Sequence, residues 1–303
     1  MQKLWLGSKK LRCVAHILCA HLVLFYSFSV FGLSSSEVLN RIPDRDRKDL
    51  EELFNYLVKR TTFSYTLFGD KPVSWFVISL PEFPKLKTSK KIIHRFSGQT
   101  PLWSKWQIWK IYEKDFPLKN FLLIEDTNSY NAHRKDIFFI NKKYFIETVN
   151  QHKKTFQKVL NRQVSGKILL KEVENKSCLQ SILAHNDLLL GILLGFGEHN
   201  SSLYQQREDL GVSYKQYKSI LVKNAPEFEK LEKKAEEITN VLQPIENYEY
   251  SPLLIGTVQF VADLECPQTK ACQKKYNLWR EKICLMYSKG NLLEITLSAL
   301  VQE

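Results

Sequence analysis

The chain has 303 residues, of which 44% are hydrophobic and 12% aromatic. That share of apolar side chains can bury a substantial core and excludes an intrinsically disordered chain. The length allows one large domain or two smaller ones. A formal net charge of +12 excludes an acidic protein and directs attention to anionic partners.

Residues 1–33 have the composition of a targeting segment. They contain four lysine or arginine residues and no acid, and residues 14–33 form an apolar stretch that small residues follow. This order is typical of a cleaved signal peptide. The alternative is an uncleaved membrane anchor, because 20 residues can cross a hydrocarbon core of about 30 Å as a helix. In both cases we expect the body to be exported across the cytoplasmic membrane.

Without residues 1–33 the formal charge of the body is +8, since the segment carries four cations and no acid. A basic exported surface predicts contact with anionic lipid headgroups or with polyanionic envelope polymers, unless it serves solubility alone. Nucleic acid is the less favoured partner. Lysine and glutamate alternate over residues 227–237, as on a solvated helix face, and the like-charge clusters at 85–91 and 141–143 are short.

Strands and helices are intermixed in the first half of the body. Hydrophobic spacing, together with turn and cap residues, predicts helices over 43–60, 101–115 and 145–162 and strands over 120–126 and 136–145. Aromatic and polar residues alternate on both sides of the turn-forming GDKP, which predicts a β-hairpin or two short strands over 63–81.

The second half is predicted to be mostly helical. Helices are expected over 168–175, 177–183, 186–208, 225–243, 269–289 and 291–303, with one strand over 253–265. That strand needs a partner sheet, and the candidate sheet lies upstream, which favours one domain over two. We therefore predict a single α+β domain over 34–303, helix-rich, with a small mixed sheet. A soft division near 162–167 is the alternative.

Three tryptophans, Trp103, Trp106 and Trp109, recur at helical spacing and share one face of the predicted helix. Such a face can be a binding platform that stacks sugars or lies at a lipid interface. The alternative, which the size of the stripe favours, is a face that packs into the core.

The run LLLGILLGFGEHN at 188–200 is too short to span a membrane. Its glycines predict a core helix with close packing against a neighbour or a break near 195–197. Glu198 and His199 at its end are candidate acid/base residues, with Asn200 as a candidate orienting residue, because His titrates near neutral pH. The alternative is that all three are surface or capping residues.

Four cysteines lie outside the targeting segment. In an exported protein the most local candidate disulfide joins Cys266 to Cys272 across CPQTKAC; in the cytosol all four would be thiols. No Cys-x-x-Cys pair occurs and the histidines do not cluster near the cysteines in the sequence, so neither a structural zinc ion nor a cofactor is expected.

No established catalytic or phosphate-binding motif is present in the sequence. The stretches FSYTLFGDKPVS and LLGILLGFGEHNSSLY resemble stretches in uncharacterised exported proteins of chlamydia-like and other intracellular bacteria. The resemblance implies an export route in a bacterial cell and assigns no functional residue.

We expect an exported, envelope-associated binding or interaction protein. The alternatives are an envelope glycan hydrolase or transferase that uses Glu198 and His199, and a nucleic-acid-binding protein.

Overall fold

The computed structural model describes residues 35–80, 102–126, 134–219, 226–244, 255, 258 and 260–301. The chain divides into two compact units, Met1–Ile42 and Pro43–Glu303. Among the described residues of the first unit is helix α1, Ser35–Arg41. The predicted targeting segment, residues 1–33, lies outside the described residues.

The second unit combines twelve described helices with five described strands. The helices are α2 Asp44–Arg60, α3 Phe63–Leu67, α4 Leu102–Tyr112, α5 Lys142–Gln151, α6 Lys153–Leu160, α7 Gly166–Lys176, α8 Leu179–Ile182, α9 Asp187–Leu193, α10 Glu198–Ser219, α11 Pro226–Val241, α12 Pro267–Tyr287 and α13 Leu292–Val301. The strands are β1 Val73–Ser79, β2 Phe121–Asp126, β3 Arg134–Asn141, β4 Leu242–Pro244 and β5 Val261–Asp263. The helix-rich α+β class predicted from the sequence is confirmed.

The main sheet has three strands in the order β1-β3-β2, and both pairings are antiparallel. It is therefore a purely antiparallel sheet, and the prediction of a mixed sheet is wrong. The central strand β3 is buried on both faces from Asp136 to Asn141. Burial of a central strand on both faces explains the apolar run at 137–140, where residues facing either side are hydrophobic.

The predicted β-hairpin over 63–81 is half correct. Its second arm is strand β1, but its first arm is the short helix α3, in which every residue is buried. Alternation of aromatic and polar residues indicates a strand only where one face meets solvent. Here Ser64 and Thr66 are as buried as Phe63 and Tyr65. The alternation therefore does not distinguish a strand from a helix.

Strand β3 leads into helix α5 without a loop. Asn141 is the last residue of β3 and the N-cap of α5, where its side chain accepts a hydrogen bond from the Tyr144 N–H. An N-cap asparagine satisfies a backbone donor that the first helical turn leaves unpaired. The strand predicted over 136–145 therefore ends at Asn141, and its last four residues are helical.

Helices α5, α6, α7 and α9 contribute their apolar faces to one hydrophobic cluster with the sheet. Val164 belongs to this cluster, so the region 162–167 connects helices that share one core. At the start of α7, Gly166 lies against the backbone of Ile146 in α5, and its N–H donates to the Asn150 side chain. Glycine permits this close approach because it has no Cβ.

The late strand does not join the main sheet. Strand β5 pairs with β4 in a separate antiparallel ribbon of two short strands. The main sheet predicted as its partner is therefore wrong. Of the strand predicted over 253–265, the described residues form Val261–Asp263, and 253–254, 256–257 and 259 lie outside the described residues.

The prediction of a membrane-spanning helix is also corrected by the structure. Within the described ranges no helix combines the length and the apolar character that a bilayer crossing requires. The stretch 14–33 that suggested an anchor lies outside the described residues.

We expect Gly166→Ala to lower the free energy of unfolding by about 1–3 kcal/mol, because a Cβ there meets the Ile146 backbone and the helices must separate. Gly290→Ala is the matched control, since a Cβ at that position has ordinary contact with the Ile295 side chain at 3.7 Å. Urea unfolding of both variants tests the prediction. Equal stability of the two variants would contradict it.

Candidate functional site at the glycine break

The apolar run at 188–200 is broken into two helices. Helix α9 ends at Leu193 and α10 begins at Glu198, and Gly195 and Gly197 between them have positive φ angles of 78° and 83°. Glycine adopts this left-handed region without a steric penalty. The break predicted near 195–197 is confirmed.

Close packing at the glycines is confirmed as well. A Cβ on Gly191 would collide with the Ser201 side chain, so the missing side chain lets α9 and α10 approach. Ser201 also donates from its hydroxyl to the Gly197 carbonyl at 2.6 Å. The two helices therefore pack closely where Gly191 faces Ser201.

Side chains from distant parts of the sequence satisfy the carbonyls at the break. The buried Lys71 ammonium donates to the Leu194 carbonyl. The Tyr276 hydroxyl donates to the Gly195 carbonyl at 3.1 Å, and the Cys272 thiol donates to the same oxygen at 3.4 Å. Burial lowers the pKa of Lys71 to about 7. These donors fix where α9 ends and therefore where α10 begins.

Glu198 is directed toward the junction of α5 and α6. Its carboxylate accepts a hydrogen bond from the Thr155 hydroxyl and lies 2.8 Å from His152 Nδ1. These hydrogen bonds, first that from Thr155 and then that with His152, lower the pKa of Glu198. The Glu198 side chain thus joins the start of α10 to the helices beside it.

His199 points away from that contact, toward strand β5. Its Nε2 lies 3.0 Å from Asp263 Oδ2, and this hydrogen bond is the main cause of the lowered pKa of Asp263. Cys266 lies beside them: one ligand-type atom from each of the three side chains falls within 4.8 Å of the other two. His199 is 43% exposed and the Asp263 side chain 22%, so solvent reaches this cluster.

Asn200 is buried and connects three segments. Its Oδ1 accepts from the Asp263 N–H at 3.0 Å and from the Thr269 hydroxyl at 3.2 Å, and its Nδ2 donates to the Phe196 carbonyl. Asn200 and Thr269 are 3% and 0% exposed. The Asn200 amide therefore fixes strand β5 and the first turn of α12 against the start of α10.

The structure does not bring Glu198 and His199 to a shared site. Successive residues on a helix differ by about 100° in direction, so neighbours in the sequence face different surroundings. His199 instead meets Asp263 and Cys266, more than sixty residues later in the chain. The sequence carried no local signal for this cluster, because its members share no spacing motif.

The tryptophan face packs mainly into the core. Trp106 and Trp109 are 1% and 0% exposed, while Trp103 is half-buried. The Trp109 ring packs edge-on against Phe54 at 5.2 Å, and Trp106 Nε1 donates to Glu125 at 2.7 Å. Buried rings cannot stack a sugar, so only Trp103 of the three is accessible at all.

Cys266 and Cys272 are free thiols in the structure, in contrast to the disulfide predicted between them. Cys266 is the N-cap of α12 and Cys272 lies six residues along the chain. Over six helical residues the helix axis advances about 9 Å. The two Cα atoms are therefore farther apart than the about 4.4–6.8 Å that a disulfide requires. The Cys272 thiol is directed to the Gly195 carbonyl instead.

A lysine-rich surface lies on helices α5, α6 and α7. Residues 142–176 contain nine cations and three acids, a net charge of +6 out of the +8 of the body. Seven of the lysines are solvent-exposed: Lys143, Lys153, Lys154, Lys158, Lys167, Lys171 and Lys176. Among the described residues these seven form no ion pair, whereas the other two cations pair with Glu174 and Glu172.

Comparison with protein-family models, with curated proteins and with solved structures finds no match to this chain. The resemblance to exported proteins of intracellular bacteria therefore stays a prediction.

We expect Gly195→Ala to destabilise the fold more than Gly197→Ala. Both substitutions place an L side chain at positive φ, which costs about 1–2 kcal/mol. A Cβ at Gly195 also collides with the Tyr276 hydroxyl, while a Cβ at Gly197 meets nothing within 4 Å. Thermal and urea unfolding measure the difference between the two variants. Equal losses would show that Tyr276 does not pack as closely as described.

Glu198→Gln tests the contact with Thr155 and His152. Because the pKa of Glu198 is lower in the folded protein than in the unfolded chain, its ionised form stabilises the fold above pH about 4.5 and loses this effect as pH falls through the folded pKa. The side chain is 44% exposed, so we expect less than about 1 kcal/mol. Unfolding free energies measured from pH about 7 to pH about 3 should converge for the variant and the unmodified protein at the acidic end.

Glu147→Gln is the control for this experiment, because Glu147 is an exposed acid on the neighbouring helix α5. It should keep the pH dependence of the unmodified protein. An unchanged pH dependence in Glu198→Gln would contradict the described contact.

Proposed function

We propose that the protein is an exported, envelope-associated binding protein whose lysine-rich surface on α5–α7 binds a polyanion that presents phosphate or carboxylate groups. The observation that carries this proposal is the concentration, on three consecutive helices, of exposed lysines that form no ion pair within the part of the chain that the structure describes. Envelope polymers and anionic lipid headgroups are the two sources of such groups that fit an exported protein.

The packing of these helices supports the proposal. The apolar faces of α5, α6 and α7 enter the same hydrophobic cluster, so their polar faces are turned away from a common core. The lysines therefore lie on helices that are packed onto one buried core. Summed charge on such a surface raises the local concentration of anions and steers them to it.

The spacing of the lysines gives a second argument. Lys154 and Lys158 lie four residues apart on α6, as do Lys167 and Lys171 on α7. Like charges at this spacing destabilise a helix by about 0.2–0.5 kcal/mol. Helix stability does not explain these pairs, whereas a bound anion between two lysines would offset their repulsion.

The test is binding of the purified protein to inorganic polyphosphate and to vesicles with and without anionic phospholipid. Replacement of Lys154, Lys158 and Lys171 by Gln should weaken binding about 100-fold, since each lysine near an anionic surface contributes about 1 kcal/mol. Binding should also fall as salt rises, because anion contacts release counterions. Preference for polymer or for vesicle identifies the source of the anionic group.

The matched control replaces Lys230, Lys233 and Lys234 by Gln. These are exposed lysines on α11, and five glutamates accompany them within residues 227–237. The net charge changes by the same amount, but we expect little loss of binding. Equal loss in the two variants would show that net charge alone acts, and stronger retention of DNA than of either probe would favour the nucleic-acid alternative.

A further inference from the structure

Three side chains with metal-binding atoms converge at the start of α10. His199 comes from the first turn of that helix, Asp263 ends strand β5, and Cys266 is the N-cap of α12. Their ligand atoms lie within 4.8 Å of one another. Around a tetrahedral zinc ion, with Zn–N near 2.0 Å and Zn–S near 2.3 Å, ligand atoms are separated by about 3.3–3.6 Å. His199 is exposed and the other two side chains are half-buried, so rotation of side chains that solvent reaches can bring the ligand atoms to that spacing.

The backbone that carries these side chains is held by a connected set of hydrogen bonds. Asn200, which follows His199, accepts from the Asp263 N–H at 3.0 Å. The Cys266 N–H donates to the Asp263 carbonyl at 3.3 Å. The Thr269 hydroxyl in the first turn of α12 donates to Asn200 Oδ1. All three segments are thus fixed to one another before any ion binds, which is what a metal site requires.

The Asp263 carboxylate is oriented for ligation. Its Oδ1 accepts the Glu265 N–H at 3.0 Å, while Oδ2 is directed to His199. Hydrogen bonding of the second carboxylate oxygen is the outer-shell contact that metal-binding carboxylates have. The Oδ2 atom is therefore presented to the same space as the imidazole and the thiol.

The geometry points to a divalent transition-metal site at His199, Asp263 and Cys266, with zinc as the ion that its ligands fit best. A thiolate, an imidazole and a carboxylate together suit a borderline ion better than Mg²⁺ or Ca²⁺, which prefer oxygen ligands alone. Three protein ligands leave the fourth tetrahedral position to water, the arrangement of open zinc sites. This inference goes beyond polyanion binding and does not depend on it.

Coordination of the metal ion displaces protons from its ligands. The ion coordinates the Cys266 thiolate, so the thiol proton is released to solvent. It also takes the place of the proton between His199 Nε2 and Asp263 Oδ2. In neutral His199 that proton moves to Nδ1, and in the imidazolium it is released. The ion is neither oxidised nor reduced.

The test uses the full chain, reduced and freed of metal, titrated with Co²⁺ and then with Zn²⁺. We expect one equivalent of Co²⁺ to give the near-ultraviolet absorption of a cobalt–thiolate bond and the intense visible bands of four-coordination. Zn²⁺ should then bleach both. Cys266→Ser should abolish the near-ultraviolet band, and His199→Ala should weaken Co²⁺ affinity at least about tenfold.

Cys284→Ser is the matched control, because Cys284 is a cysteine of intermediate exposure in the same helix α12. It should keep the full spectrum and the affinity of the unmodified protein. Circular dichroism of each metal-free variant separates loss of ligation from loss of folding. Absence of the thiolate band in the folded, unmodified protein, or its persistence in folded Cys266→Ser, would overturn the inference.

Discussion

The hydrogen bonds onto the carbonyls of Leu194 and Gly195 are the interaction on which this part of the fold depends. A broken helix leaves carbonyl groups without intrahelical donors, and buried carbonyls of this kind must find partners elsewhere. Lys71, which precedes the sheet, and Tyr276 in α12 supply them. These hydrogen bonds therefore link the segment before the sheet and helix α12 to the break between α9 and α10. They also fix the orientation of the first turn of α10.

Elements with local signals could be predicted from the sequence. Pro43 is the N-cap of α2, and Gly290 and Asn291 separate α12 from α13, as expected from residues that restrict or free the backbone. The break at Gly195 and Gly197 could be predicted for the same reason, because glycine frees the backbone there. In each case the conformational preference of one or two residues decides the outcome, so no knowledge of tertiary packing is needed.

Features that depend on tertiary contacts could not be predicted. Helix α3 is buried on all sides, so its aromatic alternation says nothing about period. Strand β3 stops at Asn141 because that side chain caps α5. The neighbours of Glu198 and His199 come from residues 46 and 64 positions away. The candidate residues at the end of the apolar run could be found from the sequence, but their separation toward two different surroundings could not.

The two proposed sites differ in how precisely their side chains must be positioned. Polyanion binding works through many flexible lysines at long range, so a charged helix surface is sufficient and composition alone can suggest it. A metal site requires its ligand atoms within a few tenths of an ångström of their final places. The buried hydrogen bonds of Asn200 and Thr269 hold the backbone where His199, Asp263 and Cys266 meet, so that rotation of the side chains alone has to bring the ligand atoms to an ion. Such positioning arises only from the folded chain, which is why the charge could be predicted from the sequence and the proposed ligand set could not.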